Sequence, residues 1–136
     1  MSKKRKEIYP TPEIPKEGWP WTEIDVEIDS CEESEWPRLT VIMPSYNQSE
    51  FIEESIRSVL LQSYPNLEFM IMDGGSTDKT INIIKKYEEW ITHWESKEDR
   101  GQSHAINKGY ARSTGEYVAW LNSDDLYYPG ALVKII

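Results

Sequence analysis

From residue 38 onward, short continuous apolar runs alternate with stretches whose apolar residues recur at helical spacing. Leu39 to Met43 is a short apolar run rich in strand formers, and Leu67 to Met72 repeats this signal. Between them, residues 50–61 place four apolar side chains on one helical face: Ile52, Ile56, Val59 and Leu60. The pattern therefore predicts a strand, a helix and a second strand.

The alternation continues to residue 121. Thr77 or Asp78 is expected to cap a second helix, whose apolar face carries Ile81, Ile84 and Tyr87. A weaker third strand is predicted from Ile91 to Glu95, a third helix capped by Ser103 follows, and a fourth, buried strand is predicted from Glu116 to Leu121. Strands that alternate with helices at this spacing are connected by right-handed crossovers, so we predict an α/β fold with a mainly parallel sheet sandwiched by helices.

The first 37 residues have a different character. They hold five of the eight prolines and an acidic run from Glu23 to Glu35, with little periodicity. We predict an extended N-terminal arm over residues 1–37 and a domain over residues 38–136. The tryptophans of the arm favour packing of the Gly18 to Trp21 stretch against the domain or a partner, because large aromatic residues are uncommon in segments that never pack.

Composition narrows the class of protein. The chain has 136 residues, a one-domain length, and its net charge of -9 leaves no basic surplus for general nucleic-acid binding. The single cysteine, Cys31, excludes an intrachain disulfide and a cysteine-rich zinc site. We find neither an apolar stretch of about 20 residues, which a membrane span requires, nor a signal peptide, and therefore expect a soluble, cytoplasmic domain.

Polar segments follow all four predicted strands. Ligands of open α/β sheets bind outside the carboxyl ends of the strands, so these segments should face one crevice. The four segments are Pro44-Ser45-Tyr46-Asn47, Asp73-Gly74-Gly75-Ser76, Asp99-Arg100-Gly101-Gln102 and Asn122-Ser123-Asp124-Asp125. The sequence thus predicts a single ligand site built from four parts of the chain.

The pair Asp124 and Asp125 indicates a divalent cation. Two adjacent ionised carboxylates repel each other, and a bound metal would account for them at the mouth of a strand. Asn, Ser and Asp also favour turns and helix caps, so a solvated turn stays an open alternative.

The other polar residues suggest a nucleotide. Ser45, Tyr46 and Asn47 precede a helix whose free amides could hold an anion or a carbonyl group. Gly74 and Gly75 would let a planar group approach the backbone, and Asp73 could accept hydrogen bonds from a base or a ribose. Arg100 could supply the positive charge that a diphosphate requires. Two simpler explanations stay open: the glycines can serve a turn with positive φ, and Arg100 can form a surface ion pair.

Four motifs in this order resemble those of the family-2 glycosyltransferases. They are Arg38-Leu-Thr-Val-Ile-Met-Pro-Ser-Tyr-Asn47, Asp73-Gly-Gly-Ser-Thr-Asp78, Gly101-Gln-Ser-His-Ala-Ile-Asn-Lys-Gly109 and Trp120-Leu-Asn-Ser-Asp-Asp125. The resemblance covers about residues 37 to 133. It implies the nucleotide-diphospho-sugar transferase (GT-A) type of α/β fold and inverting transfer of a sugar from a nucleotide donor to an acceptor hydroxyl.

The resemblance also implies roles for individual residues. Asp73 would read the base, and Asp124 and Asp125 would serve the metal, Mg²⁺ or Mn²⁺, and the donor ribose, with Asp125 in direct contact with the metal. A UDP-sugar is the most frequent donor in the family, and the acceptor would be a carbohydrate or lipid-linked molecule, as in polysaccharide biosynthesis. The expected nucleotide-binding residues are Pro44, Ser45, Tyr46, Asn47, Asp73, Gly74, Gly75, Arg100, Gln102, Asn122 and Asp124.

Three features depart from the family's pattern. Gly74 stands where a second aspartate is common, and Asn122 stands where many members have aspartate. The family's acceptor-binding half and general base lie beyond the position of Ile136, so we expect the donor-binding half of an enzyme, inactive by itself. Such a half-sheet would expose an edge strand and apolar surface, which predicts self-association or packing of the arm over the exposed face.

A function from another class stays open. The chain could be a non-catalytic nucleotide- or protein-binding module that retains the pocket. A nucleotidyltransferase fits less well, because the segment Pro44 to Gln48 is neither glycine-rich nor basic. A receiver or phosphatase domain fits less well too, since its aspartate would follow an earlier strand than Asp73 does.

Overall fold

The computed structural model describes residues 9–22 and 36–136. Cys31 and the acidic run Glu23 to Glu35 lie outside the described residues. In chain order the elements are β1 (Leu39–Ser45), α1 (Ile52–Leu60), β2 (Leu67–Asp73), α2 (Thr80–Lys86), a 3-10 turn (Glu88–Trp90), β3 (His93–Ser96), α3 (Gln102–Arg112), β4 (Tyr117–Trp120) and α4 (Ala131–Ile135).

The four strands form one sheet in the order β3-β2-β1-β4, and all three pairs are parallel. The predicted α/β architecture with a parallel sheet is therefore confirmed. The register places Ser45, Asp73 and Ser96 side by side at the carboxyl ends of β1, β2 and β3. This edge of the sheet is where the polar segments were expected to meet.

Helices cover both faces of the two central strands. On one face, the larger core joins alternate residues of β1 and β2, such as Val41 and Phe69, to Ile52 and Ile56 of α1. On the other face, Ile42, Met70 and Met72 pack against Ala105 of α3. Every residue of β1 is buried, which explains why its apolar run is continuous.

The prediction that the fourth strand is buried is wrong. Tyr117 is 54% exposed and Trp120 is 50% exposed. The reason is topological, because β4 forms the outer edge of the sheet and has β1 as its one neighbour among the described strands. An exposed edge strand was itself expected from the resemblance, and Tyr117, Val118 and Trp120 form that exposed apolar surface.

Two helix starts can be compared with their predicted caps. Neither Thr77 nor Asp78 is the N-cap residue of α2, because the helix begins at Thr80 and Lys79 holds that position, although Asp78 Oδ1 accepts a hydrogen bond of 2.9 Å from the amide of Thr80. Ser103 does not cap α3, because the helix begins one residue earlier, at Gln102, after Gly101 with a φ of 114°. Only glycine adopts this backbone conformation without strain, and it sets the start of the helix.

The described part of the arm, residues 9–22, packs over α1 and α2. The guanidinium of Arg57, on α1, donates to the backbone carbonyls of Pro10, Pro20 and Trp21 at 2.9, 2.8 and 3.1 Å. At the other end of this segment the ring of Tyr9 meets that of Trp90 edge-on, with centroids 5.1 Å apart. The stretch around Trp21 therefore lies against the domain, as expected, but on its helical face and not over β4.

The lengths of the helices in residues 9–22 and 36–136 also bear on membrane insertion. None of these helices combines the length and the apolar content that crossing a bilayer requires.

Candidate functional site

A cavity of about 640 Å³ opens at the carboxyl ends of the strands. This volume is in the range of small-molecule sites, about 300 to 1,000 Å³. All four polar segments contribute to its wall, so the expected convergence is confirmed. The lining residues are Pro44, Ser45, Tyr46, Gln48, Gly74, Gly75, Glu98, Asp99, Gly101, Gln102, Ala105, Asn122, Ser123 and Asp124.

Asp73 lies beneath this wall and does not line the cavity. Its side chain is fully buried, and its carboxylate accepts five hydrogen bonds of 2.6 to 3.0 Å. The donors are the hydroxyls of Ser45, Ser76 and Ser96 and the amides of Gly75 and Ser76. Asp73 therefore ties together the ends of β1, β2 and β3, and this placement differs from the expected contact with a base.

The amides before α1 are already used within the protein. Those of Asn47, Gln48 and Ser49 donate to the side chains of Ser76, Thr80 and Asp78 at 2.7, 2.9 and 3.1 Å, respectively. These three amides are therefore satisfied within the protein, because the loop after β2 supplies their acceptors; an anion or carbonyl group at the first turn of α1 stays a prediction. These bonds position the loop after β1, which places Tyr46 and Gln48 on the cavity wall.

Asn47 is a second linker between these loops. It has a positive φ of 49°, and its side-chain carbonyl accepts from the amides of Thr77 at 2.8 Å and Asp78 at 3.3 Å. It is absent from the cavity wall, unlike its neighbours Tyr46 and Gln48. Asn tolerates the left-handed region better than most residues, so its role in this structure is to shape the turn.

The two glycines after Asp73 line the cavity for different reasons. Gly75 has a φ of 93°, so the turn explanation holds for it. Gly74 is in contact with the Asp99 carboxylate, since a Cβ added to Gly74 would lie 2.8 Å from Asp99 Oδ1. The room that Gly74 leaves is thus taken by a side chain of the protein itself.

The third segment brings Gln102 into the cavity but not Arg100. The Arg100 side chain is exposed and outside the cavity wall, and its amide donates to Nδ1 of His104 at 2.8 Å. Gln102 reaches across to the fourth segment, where its Nε2 donates to Oδ1 of Asn122. The expected positive charge of Arg100 therefore does not lie in the wall of the cavity.

In the acidic segment, Asp124 faces the cavity and Asp125 does not. Both residues are exposed. Asp125 folds back toward Asn122, accepting from the Asn122 side-chain amide at 3.3 Å and donating its own amide to the Asn122 carbonyl at 3.1 Å. The segment is thus a turn, as one of the two explanations left open by the sequence has it, and it presents one carboxylate to the cavity; the bound cation stays a prediction.

The cavity wall is acidic. Among its described residues, Glu98, Asp99 and Asp124 carry carboxylates, and none is a lysine or an arginine. Glu98 and Gln48 were not among the predicted site residues, whereas Asp99 was expected at the crevice as part of the third segment but was given no role there. The position of Glu98 and Asp99 just after the third strand was the signal that could have identified them.

The donor set bears on metal binding. No group of three His, Cys, Asp or Glu side chains in residues 9–22 and 36–136 is arranged to hold a metal ion. Mg²⁺ is commonly bound through one or two carboxylates, with substrate phosphates and water completing the octahedron. Asp124 and Asn122, which both line the cavity, fit this pattern, in which the protein supplies only part of the coordination shell.

Comparison with known families gives one match over most of the chain. The model of the family described as Glycosyl transferase family 2 matches residues 40–136. The match begins within β1 and includes all four segments of the cavity wall.

Curated relatives share this region. An uncharacterised glycosyltransferase of Rickettsia typhi is 40% identical over 96 residues, which cover 71% of this chain and 30% of the relative. The putative teichuronic acid biosynthesis glycosyltransferase TuaG of Bacillus subtilis is 43% identical over 101 residues, 72% of this chain and 40% of TuaG. The chain therefore spans about a third of the length of these relatives.

Solved structures with the same arrangement are also found. The mannosyltransferase PcManGT of Pyrobaculum calidifontis, in complex with GDP-Man and Mn²⁺, has a TM-score of 0.65 and 32% identity, covering 82% of this chain and 34% of PcManGT. TarS of S. aureus, in complex with UDP-GlcNAc, has a TM-score of 0.63 and 28% identity, covering 72% and 29% of the two chains.

Proposed function

The chain belongs to glycosyl transferase family 2, and we propose that it forms the nucleotide-sugar-binding part of an inverting, metal-dependent glycosyltransferase. The observation that carries the proposal is the acidic cavity at the carboxyl ends of the parallel strands, lined by four separate loops. The GT-A type of α/β fold expected from the sequence is confirmed by the likeness to PcManGT and TarS.

The nucleoside is assigned to the wall made by the loop after β1. Pro44, Ser45 and Tyr46 line this side together with Gln48, and the Tyr46 ring is more than half exposed. An exposed aromatic ring offers a face for stacking, while the Gln48 amide offers both a donor and an acceptor. Asp73 supports this wall from below through its bond with Ser45.

The diphosphate is assigned to the side of Asn122 and Asp124, and the acidity of the wall explains why a metal is needed. A diphosphate that enters a cavity lined by Glu98, Asp99 and Asp124 meets like charges at close range. Asp124 and the side-chain oxygen of Asn122 would hold Mg²⁺ or Mn²⁺, both of which prefer oxygen ligands. When bound, the ion supplies positive charge that favours departure of the nucleoside diphosphate.

Inversion requires a base that takes the proton of the acceptor hydroxyl, and the base must reach this proton within hydrogen-bond distance. None of the described cavity residues is assigned this role. Because the chain spans about a third of its relatives, we propose that the remainder of the full protein supplies the base and the acceptor site. The conclusion for the present chain is therefore donor binding.

For the donor we propose a UDP-sugar, and for the acceptor a carbohydrate or lipid-linked molecule of polysaccharide biosynthesis. TarS is described with UDP-GlcNAc and TuaG with teichuronic acid, which supports this choice, whereas PcManGT is described with GDP-Man.

The proposed homo-oligomer would pair the exposed β4 edges. The cytoplasmic location stays a prediction.

Thermal unfolding with and without nucleotides tests the proposal. UDP, GDP, dTDP and ADP are each added with Mn²⁺ and with a chelator. A ligand at 100 times its Kd adds about 2.7 kcal/mol to the unfolding free energy, so the shift is measurable. We expect a Mn²⁺-dependent rise in Tm with UDP, lost in Asp124→Asn and kept in the surface control Glu50→Gln. No rise with any nucleotide would refute donor binding and favour a binding module of another kind.

A further inference from the structure

The residues that follow the Asp124-Asp125 pair are held by hydrogen bonds from other parts of the protein. We propose that Trp19 of the N-terminal arm and three polar residues of the α1 region, Ser55, Ser58 and Gln62, form a positioning network for this carboxylate pair. The inference rests on the proposed function, because it assigns the network a role in metal-dependent nucleotide binding. We call residues 124–132 the carboxylate segment.

The α1 side of the network binds the backbone of the carboxylate segment at four points. Ser55 Oγ donates to the carbonyl of Asp125, and Ser58 Oγ accepts from the amide of Tyr127 at 3.1 Å. Gln62 then uses both ends of its side chain, donating to the carbonyl of Tyr128 at 2.8 Å and accepting from the amide of Leu132 at 3.0 Å.

The arm provides a fifth point. The indole Nε1 of Trp19 donates to the carbonyl of Tyr127 at 2.7 Å. Tyr127 thus has its amide bound by α1 and its carbonyl bound by the arm. Since irregular segments lack the ladder bonds that satisfy strands and helices, these side chains supply partners that the segment's backbone requires.

The positions of these residues explain why they reach one segment. Ser55, Ser58 and Gln62 are spaced by three and four residues, so they fall on the same side of α1 and its C-terminal extension. Their relative exposures are 1%, 0% and 0%. A buried polar side chain is costly unless it is hydrogen-bonded, so the network has few alternative arrangements.

The arm is itself fixed to the same helix. Arg57 is buried and donates to the carbonyls of Pro20 and Trp21, which lie one and two residues after Trp19 in the turn of the arm. Arg57 lies between Ser55 and Ser58 in the chain. The helix therefore holds the carboxylate segment directly through its serines and indirectly through the arm, so that docking of the arm and placement of Asp125 are linked.

This linkage has a functional consequence. The turn that presents Asp124 to the cavity is closed by the Asp125 amide on the Asn122 carbonyl, and the Asp125 carbonyl is held by Ser55. A small displacement of a ligand side chain weakens a metal site, and loss of an outer-shell partner typically lowers metal affinity by about 10- to 100-fold. Loss of the Trp19 bond should therefore raise the Mn²⁺ concentration that nucleotide binding requires.

The test compares Trp19→Phe and Ser58→Ala with the parent protein. Trp94→Phe is the matched control, because its indole Nε1 donates to Glu88 at 3.3 Å, away from the carboxylate segment. UDP binding is titrated over a range of Mn²⁺ concentrations, and hydrogen exchange of amides in residues 125–132 is measured without ligand. We expect half-maximal binding in both variants to need about tenfold more Mn²⁺, with recovery at saturating Mn²⁺, and faster exchange.

The Mn²⁺ titration distinguishes a positioning role of Trp19 and Ser58 from a purely structural one. Recovery at high Mn²⁺ with Trp94→Phe unchanged supports positioning, whereas a loss of UDP affinity that Mn²⁺ does not restore would show a purely structural role and overturn it. An unchanged Mn²⁺ requirement also overturns it. If the parent protein shows no Mn²⁺-dependent UDP binding, the proposed function is contradicted. Equal hydrogen exchange of residues 125–132 in the parent and in Trp19→Phe would in that case also refute the restraint of the carboxylate segment by the arm.

Discussion

The carboxylate of Asp99 lies against Gly74, so that a Cβ at position 74 would be 2.8 Å from Asp99 Oδ1 and 3.1 Å from Asp99 Cγ. Asp99 follows β3 and Gly74 follows β2, and both residues line the cavity. The space that a side chain at position 74 would need is filled by an acidic group from another segment. The shape and charge of this wall are therefore joint properties of two loops.

We predict that Gly74→Ala moves Asp99 and weakens nucleotide binding with little loss of stability. The Asp99 carboxylate is the end of a flexible side chain, and position 74 has no positive φ, so the unfolding free energy should change by less than about 1 kcal/mol. The measurement is a double-mutant cycle with Asp99→Ala for UDP affinity. Additive effects of the two substitutions would show that Asp99 does not mediate the change.

Asp73 should be a stability residue. Asp73→Asn replaces a carboxylate that accepts five hydrogen bonds with an amide, whose NH₂ group would face hydroxyl and backbone N–H donors. Because an unsatisfied buried polar group is expensive, we expect the unfolding free energy to fall by roughly 3 kcal/mol in urea denaturation. The control is Asp78→Asn, an exposed aspartate of the same loop. Equal losses in the two variants would contradict this assignment.

A second buried carboxylate lies at the opposite end of the sheet. Glu68 accepts from the Thr40 hydroxyl at 2.6 Å and from the Thr114 amide at 2.8 Å, and it therefore ties the loop before β4 to β1 and β2. Burial would raise the pKa of Glu68, but these hydrogen bonds, together with the nearby Arg38 guanidinium, outweigh burial and lower the pKa below its ordinary value of 4.5.

The lowered pKa predicts how stability depends on pH. The ionised form is favoured in the folded state, so its contribution is present above pH 4.5 and is lost as the pH falls through the lower pKa of the folded protein. We expect the parent to be more stable than Glu68→Gln at pH 7 and the difference to shrink below pH 4.5. Urea midpoints over this range measure it, with Glu50→Gln as an exposed control. A difference that stays constant with pH would contradict the prediction.

Arg57 should hold the arm on the domain. Arg57→Lys retains the charge but replaces the planar guanidinium, which reaches three backbone carbonyls, with a single ammonium group. We expect residues 11–17 to become more sensitive to limited proteolysis while the domain keeps its cooperative unfolding. Lys79→Arg is an exposed control. Unchanged protection of the arm would mean that its other contacts, such as that of Tyr9 with Trp90, suffice.

The alternation of apolar runs was sufficient to predict the parallel sheet, because each central strand is buried on both faces and each helix has one apolar side. Burial of β4 could not be predicted in the same way. Its run from Tyr117 to Trp120 is as apolar as that of a central strand, and only the strand order places it at the edge.

The location of the site could be predicted from the carboxyl ends of the strands, but the direction of each side chain could not. Asp73 and Asp99 both follow strands, and the sequence does not reveal that the first is buried under five donors while the second faces the cavity. Likewise, the amide of Asn47 looks free along the chain and is bound by Ser76 from the next loop. These differences arise from contacts between loops that are distant in sequence.

We propose that this cavity binds a nucleoside diphosphate with the help of a divalent cation held at Asp124. Calorimetric titration of UDP into the protein, with Mn²⁺ and with a chelator, tests it most directly, and Asp124→Asn and Glu50→Gln are titrated in parallel. We expect binding that requires Mn²⁺ in the parent and in Glu50→Gln and that is lost in Asp124→Asn. Equally tight binding with the chelator, or in Asp124→Asn, would contradict it.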